Sequence, residues 1–430
     1  MGVLTAAAVL WLARGFTFHY DEWSFIMDAP RWTWGSYLQP HNEHPSILFR
    51  LVYSALLNTV GLRSYVPYMA LLLALHVVDA VLLFEVVRRR AGDLVGVAFA
   101  AILLLLGAGS EDFMWAFQLA WLASIGCGLG SLRILNSPPT STRSATAVAL
   151  VAASIMFSGI GLVFAAIVAF QLAASGERRQ GLIWFVPLAV AFAVWFFAVG
   201  HVNATPTDPP ATSANVFRLP AYSVWGLAGS VAGIIGITGA AALPVLVLAA
   251  LALGFTWWRH RPDVLALSVF VGLVSFYLMT GLTRAQFGPW QAMSSRYVYV
   301  GAVLWLILLA DVARLLPWRG QWRPALAACL VLACFNSSAL LVSNAAAKTK
   351  VMQRVVADMQ ALGVERSNPC LDPAGRVDRR WMPPVTSPGL YYRAVDRFGD
   401  PVAGLSITDR ADFDAARRNL LRSDCSPNYT

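Results

Sequence analysis

Apolar runs of roughly 18–22 residues recur along this chain, and each is long enough to cross a hydrocarbon core of about 30 Å as a helix. Lipid offers the backbone no hydrogen-bond partners, so runs of this kind must be helices, which satisfy their own N–H and C=O groups. Composition agrees. Hydrophobic residues make up 58% of the chain and charged ones 13%, where a soluble domain carries about 25% charge. Tryptophans gather near run ends (Trp11, Trp115, Trp184, Trp257, Trp258, Trp318), as interfacial belts do. The expected class is an all-α polytopic membrane protein.

The net charge of +9 sets topology and is no nucleic-acid footprint. Arginines fall in short loops: Arg88–Arg90, Arg133 and Arg143, Arg178 and Arg179, Arg259 and Arg261, then Arg314, Arg319 and Arg323. Such loops mark the cytoplasmic side. The alternate loops hold acids: Asp21, Glu22, Asp28 and Glu43, then Glu111 and Asp112, then Asp208.

Threading the chain on that basis predicts spans over 1–18, 64–86, 93–109 and 115–135, then two around SGIG (158–161). Five more follow over 181–200, 240–258, 264–281, 297–316 and 324–343. That makes about eleven crossings. The first lacks a basic n-region and a small-residue cleavage site, so it reads as a retained helix. Residues 45–60 and 221–238 read as interfacial or re-entrant helices. Residues 1–344 thus form a membrane bundle and 345–430 a small external domain, with 23 charged residues in 86 positions. An external location permits a disulfide between Cys370 and Cys425; two unpaired thiols fit the spacing as well. Cys127, Cys329 and Cys334 read as small core residues.

Ionisable groups beside a bilayer are candidate sites, and four clusters stand out. FHYDEWSF (18–25) supplies His19, Asp21 and Glu22; a carboxylate there can serve as a general base, or Asp21 can cap the next helix while Glu22 faces water. HNEHP (41–45) offers His41, Glu43 and His44, which are metal-ligand types without a standard ligand spacing. Pro45 suits the first turn of the helix that follows. Glu111 and Asp112 open WAFQ, where a helix dipole would accommodate both acids. Finally, TRAQFGPWQAMSSRYVY (283–299) carries Arg284 and Arg296. Arginine forks match phosphate oxygens, and they also snorkel to lipid headgroups. Asp79 is the main acid inside a span.

The acidic pair after the first span, the long first external loop and the HP turn into an interfacial helix resemble the GT-C glycosyltransferases. The segments HNEHPSILFRLVYSALLNTVGLRSYVPY, EDFMWAFQLAW and TRAQFGPWQAMSSRYVYV carry the likeness over roughly residues 15–300. The branch is the bacterial one similar to protein mannosyltransferases and aminoarabinose transferases (glycosyltransferase family 39-like). The resemblance implies a GT-C-like bundle in the bacterial cytoplasmic membrane, with active site and C-terminus outside. It implies inverting transfer of a sugar from a polyprenyl-phosphate carrier to a hydroxyl of a glycan, lipid or protein. By position, Asp21 becomes the base and Glu22 its acceptor-orienting neighbour. His41, Glu43, His44, Glu111 and Asp112 line the site, Arg284 and Arg296 hold the donor phosphate, and Glu43 and His44 are candidate ligands for a divalent metal. The chain is shorter than many members, and the acids of its second external loop do not fully match. A non-enzymatic carrier of a lipid-linked sugar is the alternative.

Overall fold

The computed structural model describes residues 1–42, 44–137, 140–174, 178–203, 209–316, 320, 322–407 and 409–425. Glu43, Asp208, Trp318 and Arg319 lie outside them. Among the described residues every regular element is a helix, and the only strand-like pairings are isolated bridges at His41–His44 and Leu371–Leu421. The helices are α1 (Gly2–Leu12), α2 (Glu22–Asp28), α3 (Ile47–Thr59), α4 (Val66–Ala91), α5 (Asp93–Leu104), α6 (Glu111–Met114), α7 (Leu119–Leu135), α8 (Ser141–Phe157) and α9 (Gly161–Ala174). They continue with α10 (Arg178–Trp195), α11 (Asn215–Gly233), α12 (Ala242–Arg259), α13 (Val264–Arg284), α14 (Ser295–Ala313), α15 (Trp322–Glu365), α16 (Pro388–Phe398) and α17 (Arg410–Leu420).

Seven helices among the described residues are long and apolar enough to cross a membrane, so the chain is a multi-pass membrane protein. They correspond to the expected spans 64–86, 115–135, 181–200, 240–258, 264–281, 297–316 and 324–343. The other four expected spans form apolar helices that are shorter: α1, α5, α8 and α9, of 11, 12, 17 and 14 residues. In the third, the run stops at Leu104 because the glycines of GAGS, 107–110, turn the chain into a 3-10 turn at Gly107–Gly109.

Of the stretch 221–238, read as an interfacial or re-entrant helix, residues 221–233 lie in α11, which packs against α12, α13 and α14 and is not among the seven long apolar helices. Its run of small residues lets other helices approach closely: a Cβ on Gly226 would lie 2.1 Å from Cδ1 of Tyr277 on α13. The helix of the last expected span does not end near 343. Its one proline, Pro324, sits in the first turn, and the strong helix formers beyond it carry α15 through 44 residues, deep into the charged tail.

The chain forms two compact units, whose boundaries fall within α1, α3, α4 and α15. The first comprises residues 1–7, 38–49 and 72–342. Its most enclosed helix is α14, in contact with α5, α6, α11, α12 and α13. Near the α4 C-terminus, Arg90 is clamped by Asp263 at 2.9 Å and Asp311 at 2.6 Å. Arg90 and Asp311 are only 6% and 4% exposed. This arginine of the RRR loop, expected only to set topology, therefore also ties α4 to α14 and to Asp263, the N-cap of α13.

The second unit comprises residues 8–37, 50–71 and 343–430. In this unit the tail packs with the FHYDEWSF segment: Trp23 of α2 meets Tyr391 of α16 at 4.9 Å. Cys370 and Cys425 form a disulfide with a Cα–Cα distance of 5.7 Å.

Candidate functional site

In the second unit, the chain leaves α1 and reaches α2 through a turn that Tyr20 completes at φ 53°. A left-handed conformation is unfavourable for a bulky side chain. Here Glu22 holds the turn. Its Oε2 accepts the His19 backbone N–H at 3.0 Å, and its Oε1 accepts the hydroxyls of Tyr53 at 3.2 Å and Tyr65 at 3.1 Å. Trp23 adds its indole N–H to the Phe18 carbonyl at 3.1 Å. Glu22 is fully buried, and that burial raises its pKa to about 7 against the opposing pull of the His19 N–H, the tyrosines and Lys348. Burial, seconded by the Lys348 charge, pushes His19 the other way, well below the usual imidazole range.

The Glu22 carboxylate, expected to orient an acceptor, is enclosed by the His19 N–H and the hydroxyls of Tyr53 and Tyr65, and its place is to hold the turn. Asp21, the N-cap residue of α2, makes no side-chain capping bond and remains half-buried. The two adjacent acids, alike in sequence, are thus separated into an enclosed one and a partly open one.

The second motif lies in the first unit. In HNEHP, His41 and His44 exchange two backbone hydrogen bonds of 3.0 Å, and Asn42 takes φ 53° to close the turn. The His41 ring meets Phe117 edge-on at 5.2 Å. The His44 ring lies so close to Gly159 of SGIG that a Cβ there would sit 2.3 Å from Nδ1. Pro45 precedes α3 by two positions rather than starting it. Among the described residues no three His, Cys, Asp or Glu side chains gather in a way that would hold a metal ion. The described members of this motif are engaged in packing and in the backbone turn.

The third and fourth motifs come together in the first unit. Glu111 Oε1 pairs with Arg296 Nη2 at 2.9 Å, and the Glu111 N–H donates to Ser295 Oγ at 3.0 Å. The Arg296 guanidinium lies 5.8 Å from the Trp115 ring centre. Arg284 sits in other surroundings, donating to the Thr283 carbonyl at 2.9 Å and adding its charge to the environment of Tyr222. Asp112 is fully buried, and neither of its oxygens has a hydrogen-bond partner among the described residues. Burial, then the neighbouring Glu111 and Asp79, hold its pKa well above the usual carboxylate range against the pull of Arg296. The helix-dipole explanation fails here, since α6 has only four residues and the macrodipole needs a longer helix.

Three groups from the spans complete this cluster. Asp79 of α4 is fully buried, and neither carboxylate oxygen makes a hydrogen bond of good geometry; the Tyr299 hydroxyl is its polar neighbour. His76, one turn earlier, stacks on Phe113 at 4.3 Å. Its Nε2 faces the Leu104 carbonyl at 3.3 Å and its Nδ1 the Tyr299 hydroxyl at 2.9 Å. A carbonyl only accepts, so Nε2 carries the proton and Tyr299 donates to Nδ1. The single Tyr299 proton is then committed, which leaves Asp79 without that donor. His76 carries no motif, and its i, i+3 spacing to Asp79 was the one available signal; Tyr299 closes the fourth motif, TRAQFGPWQAMSSRYVY, without having been singled out in it.

No family model, curated protein or solved structure matches this chain.

Proposed function

We propose that this protein is an inverting glycosyltransferase that uses a polyprenyl-phosphate sugar, works at the outer face of the bacterial cytoplasmic membrane, and is built as an eleven-span GT-C-like bundle with the short apolar helices among its crossings. The observation that carries this reading is the division of labour at Asp21–Glu22. A base must meet its substrate, and a rigid turn must present it. Asp21 is the half-buried acid, and the enclosed Glu22 fixes the turn on which it stands.

The chemistry is simple. Asp21 takes the proton of the acceptor hydroxyl, and the oxygen attacks the anomeric carbon from the face opposite the phosphate. The bond from that carbon to the phosphate oxygen breaks, and its electron pair leaves with polyprenyl phosphate, an anion stable without protonation.

The test uses purified protein, a labelled polyprenyl-phosphate sugar and a membrane-extract acceptor. Wild type releases polyprenyl phosphate with acceptor present. Asp21→Asn loses about 100-fold or more of that activity, the usual range for a general base, and keeps the wild-type melting temperature. Full activity in Asp21→Asn removes the assignment.

The buried Asp79, His76, Tyr299 and Asp112 favour a second reading, a proton-coupled carrier of a lipid-linked sugar, because ionisable groups inside spans often serve relays. Uptake into sealed vesicles that collapses with the proton gradient, with no release of polyprenyl phosphate in detergent, would establish the carrier.

A further inference from the structure

The second unit contains a cavity of about 280 Å³ that none of the four motifs predicts. Its walls differ in chemistry. Arg14, Thr17, Arg63 and Ser64 supply polar groups, while Leu10 and Met69 are among the apolar ones, and no acid lines it. Arg14 follows the end of α1, where it donates to the Trp11 carbonyl at 2.9 Å and lies over the Trp11 ring at 4.2 Å. That contact leaves most of the five guanidinium donors uncommitted.

Arg63 sits on the turn leading into α4, and the turn is held firmly. Gly61 takes φ +69° against the Phe398 carbonyl, the Leu62 N–H donates to that carbonyl at 2.9 Å, and the Tyr68 hydroxyl bonds the Gly61 carbonyl at 3.0 Å. Arg63 itself is exposed and has no ion-pair or hydrogen-bond partner among the described residues. Ser64, Tyr65 and Val66 bring the start of the 26-residue α4 to the same cavity; the Val66 N–H is taken by Ser64 Oγ at 3.3 Å and Pro67 has none, so the two arginines are the charged donors open to an anion there.

The apolar wall identifies the kind of anion. Val66 of that wall is 56% exposed, and Trp11, beside the wall residue Leu10, is 63% exposed; both stand at the ends of apolar helices of a membrane protein, where lipid would cover them. A soluble anion has no use for such a wall, whereas a phosphate attached to a hydrocarbon chain uses both halves. We infer that this cavity binds the phosphate headgroup of an anionic phospholipid, with Arg14 and Arg63 on the phosphate and the acyl chain along Leu10 and Met69. The inference is independent of the reaction proposed above.

The test measures lipid retention by native mass spectrometry and the melting temperature of the full-length protein. Samples are compared in phosphatidylcholine nanodiscs with and without phosphatidylglycerol. Wild type is expected to retain phosphatidylglycerol selectively and to melt higher in its presence. Arg63→Gln weakens retention about tenfold or more, as loss of a charge-assisted hydrogen bond does, and Arg63→Lys retains part of it. Arg376→Gln, on the tail surface, leaves retention unchanged. Because Arg63 is exposed and unpaired, its variants fold, and they carry the test even where Arg14→Gln expresses poorly. Equal retention of the two lipids, wild-type retention by Arg63→Gln, or equal protection by inorganic phosphate alone each overturns the inference.

Discussion

Glu22 gives the sharpest prediction, because its burial fixes both a sign and a size. The folded-state pKa is raised from 4.5 to about 7, so between those values the folded protein holds a proton at Glu22 that the unfolded chain has released. The stability linked to Glu22 is therefore fully present below about pH 4.5 and is lost as pH rises through about 7. Its full size is about 3 kcal/mol, with no discount for solvent, since the side chain is completely enclosed. His19 opposes it. Its lowered pKa means that the unfolded chain binds a proton that the folded protein does not, so stability is lost as pH falls below about 6.5. The two trends partly cancel in wild type between about pH 4.5 and 6.5, and the raw profile is a poor test. The difference between wild type and Glu22→Gln isolates the carboxyl. Thermal midpoints by scanning fluorimetry in detergent, from pH 5 to 8, should show wild type losing stability relative to Glu22→Gln as pH rises. Parallel profiles, or a relative gain for wild type at high pH, would refute the enclosure of a raised Glu22.

Other positions give simpler expectations. Arg90→Ala leaves Asp311 buried without its cation and should cost about 3–5 kcal/mol; chemical denaturation beside an Arg90→Ala/Asp311→Ala double variant would show partial recovery. Opening the Cys370–Cys425 link, which closes a separation of 55 residues, should cost about 4 kcal/mol on the chain-entropy model, and proteolysis of the tail under reducing conditions reads it out. Gly226→Ala forces a methyl into the Tyr277 ring and should cost about 1–3 kcal/mol, seen as a lower melting temperature. Asp112→Asn replaces a buried carboxyl that has no hydrogen-bond partner among the described residues. It should leave stability unchanged or raise it, and a strong loss of stability would mean that Asp112 is ionised and paired.

Much of the fold was legible because lipid imposes a single local rule. An apolar run of sufficient length must be a helix, and the seven long helices follow that rule closely. Hydropathy does not say how those helices pack. The small residues of α11 suit it to close backbone approach, as the Gly226–Tyr277 contact shows. The tail looked separable because its charge density rises at 345, but charge on one face of a helix does not end the helix, and α15 runs on. At the candidate site, residue types were legible and their division was not. Along the sequence, Asp21 and Glu22 take different roles only by the resemblance; the burial of Glu22 depends on the hydroxyls of Tyr53 and Tyr65, 31 and 43 residues away, which no local pattern shows. His76 and Tyr299 lie 223 residues apart, and no local pattern could announce their pairing.

Four positions violate the rules that the rest of the chain obeys. Tyr20 and Asn42 take left-handed backbone conformations, the only non-glycine residues to do so among those described, where glycine would avoid a cost of about 1–2 kcal/mol. Asp79 and Asp112 bury carboxyls that a neutral or apolar side chain would replace at no loss of hydrogen bonding. A chain shaped by stability alone has no reason to keep such features, and in natural proteins strain and unpaired buried acids concentrate at working sites. Three of the four fall inside the segments that stood out for their chemistry: FHYDEWSF, HNEHP and EDFMWAFQ. The fourth, Asp79, shares its buried surroundings with Tyr299 and Asp112. Two independent criteria, chemical type along the sequence and local cost in the fold, therefore select nearly the same residues. Scaffolding explains the enclosed Glu22 and the clamped Arg90, but it leaves Asp79 and Asp112 without a structural purpose.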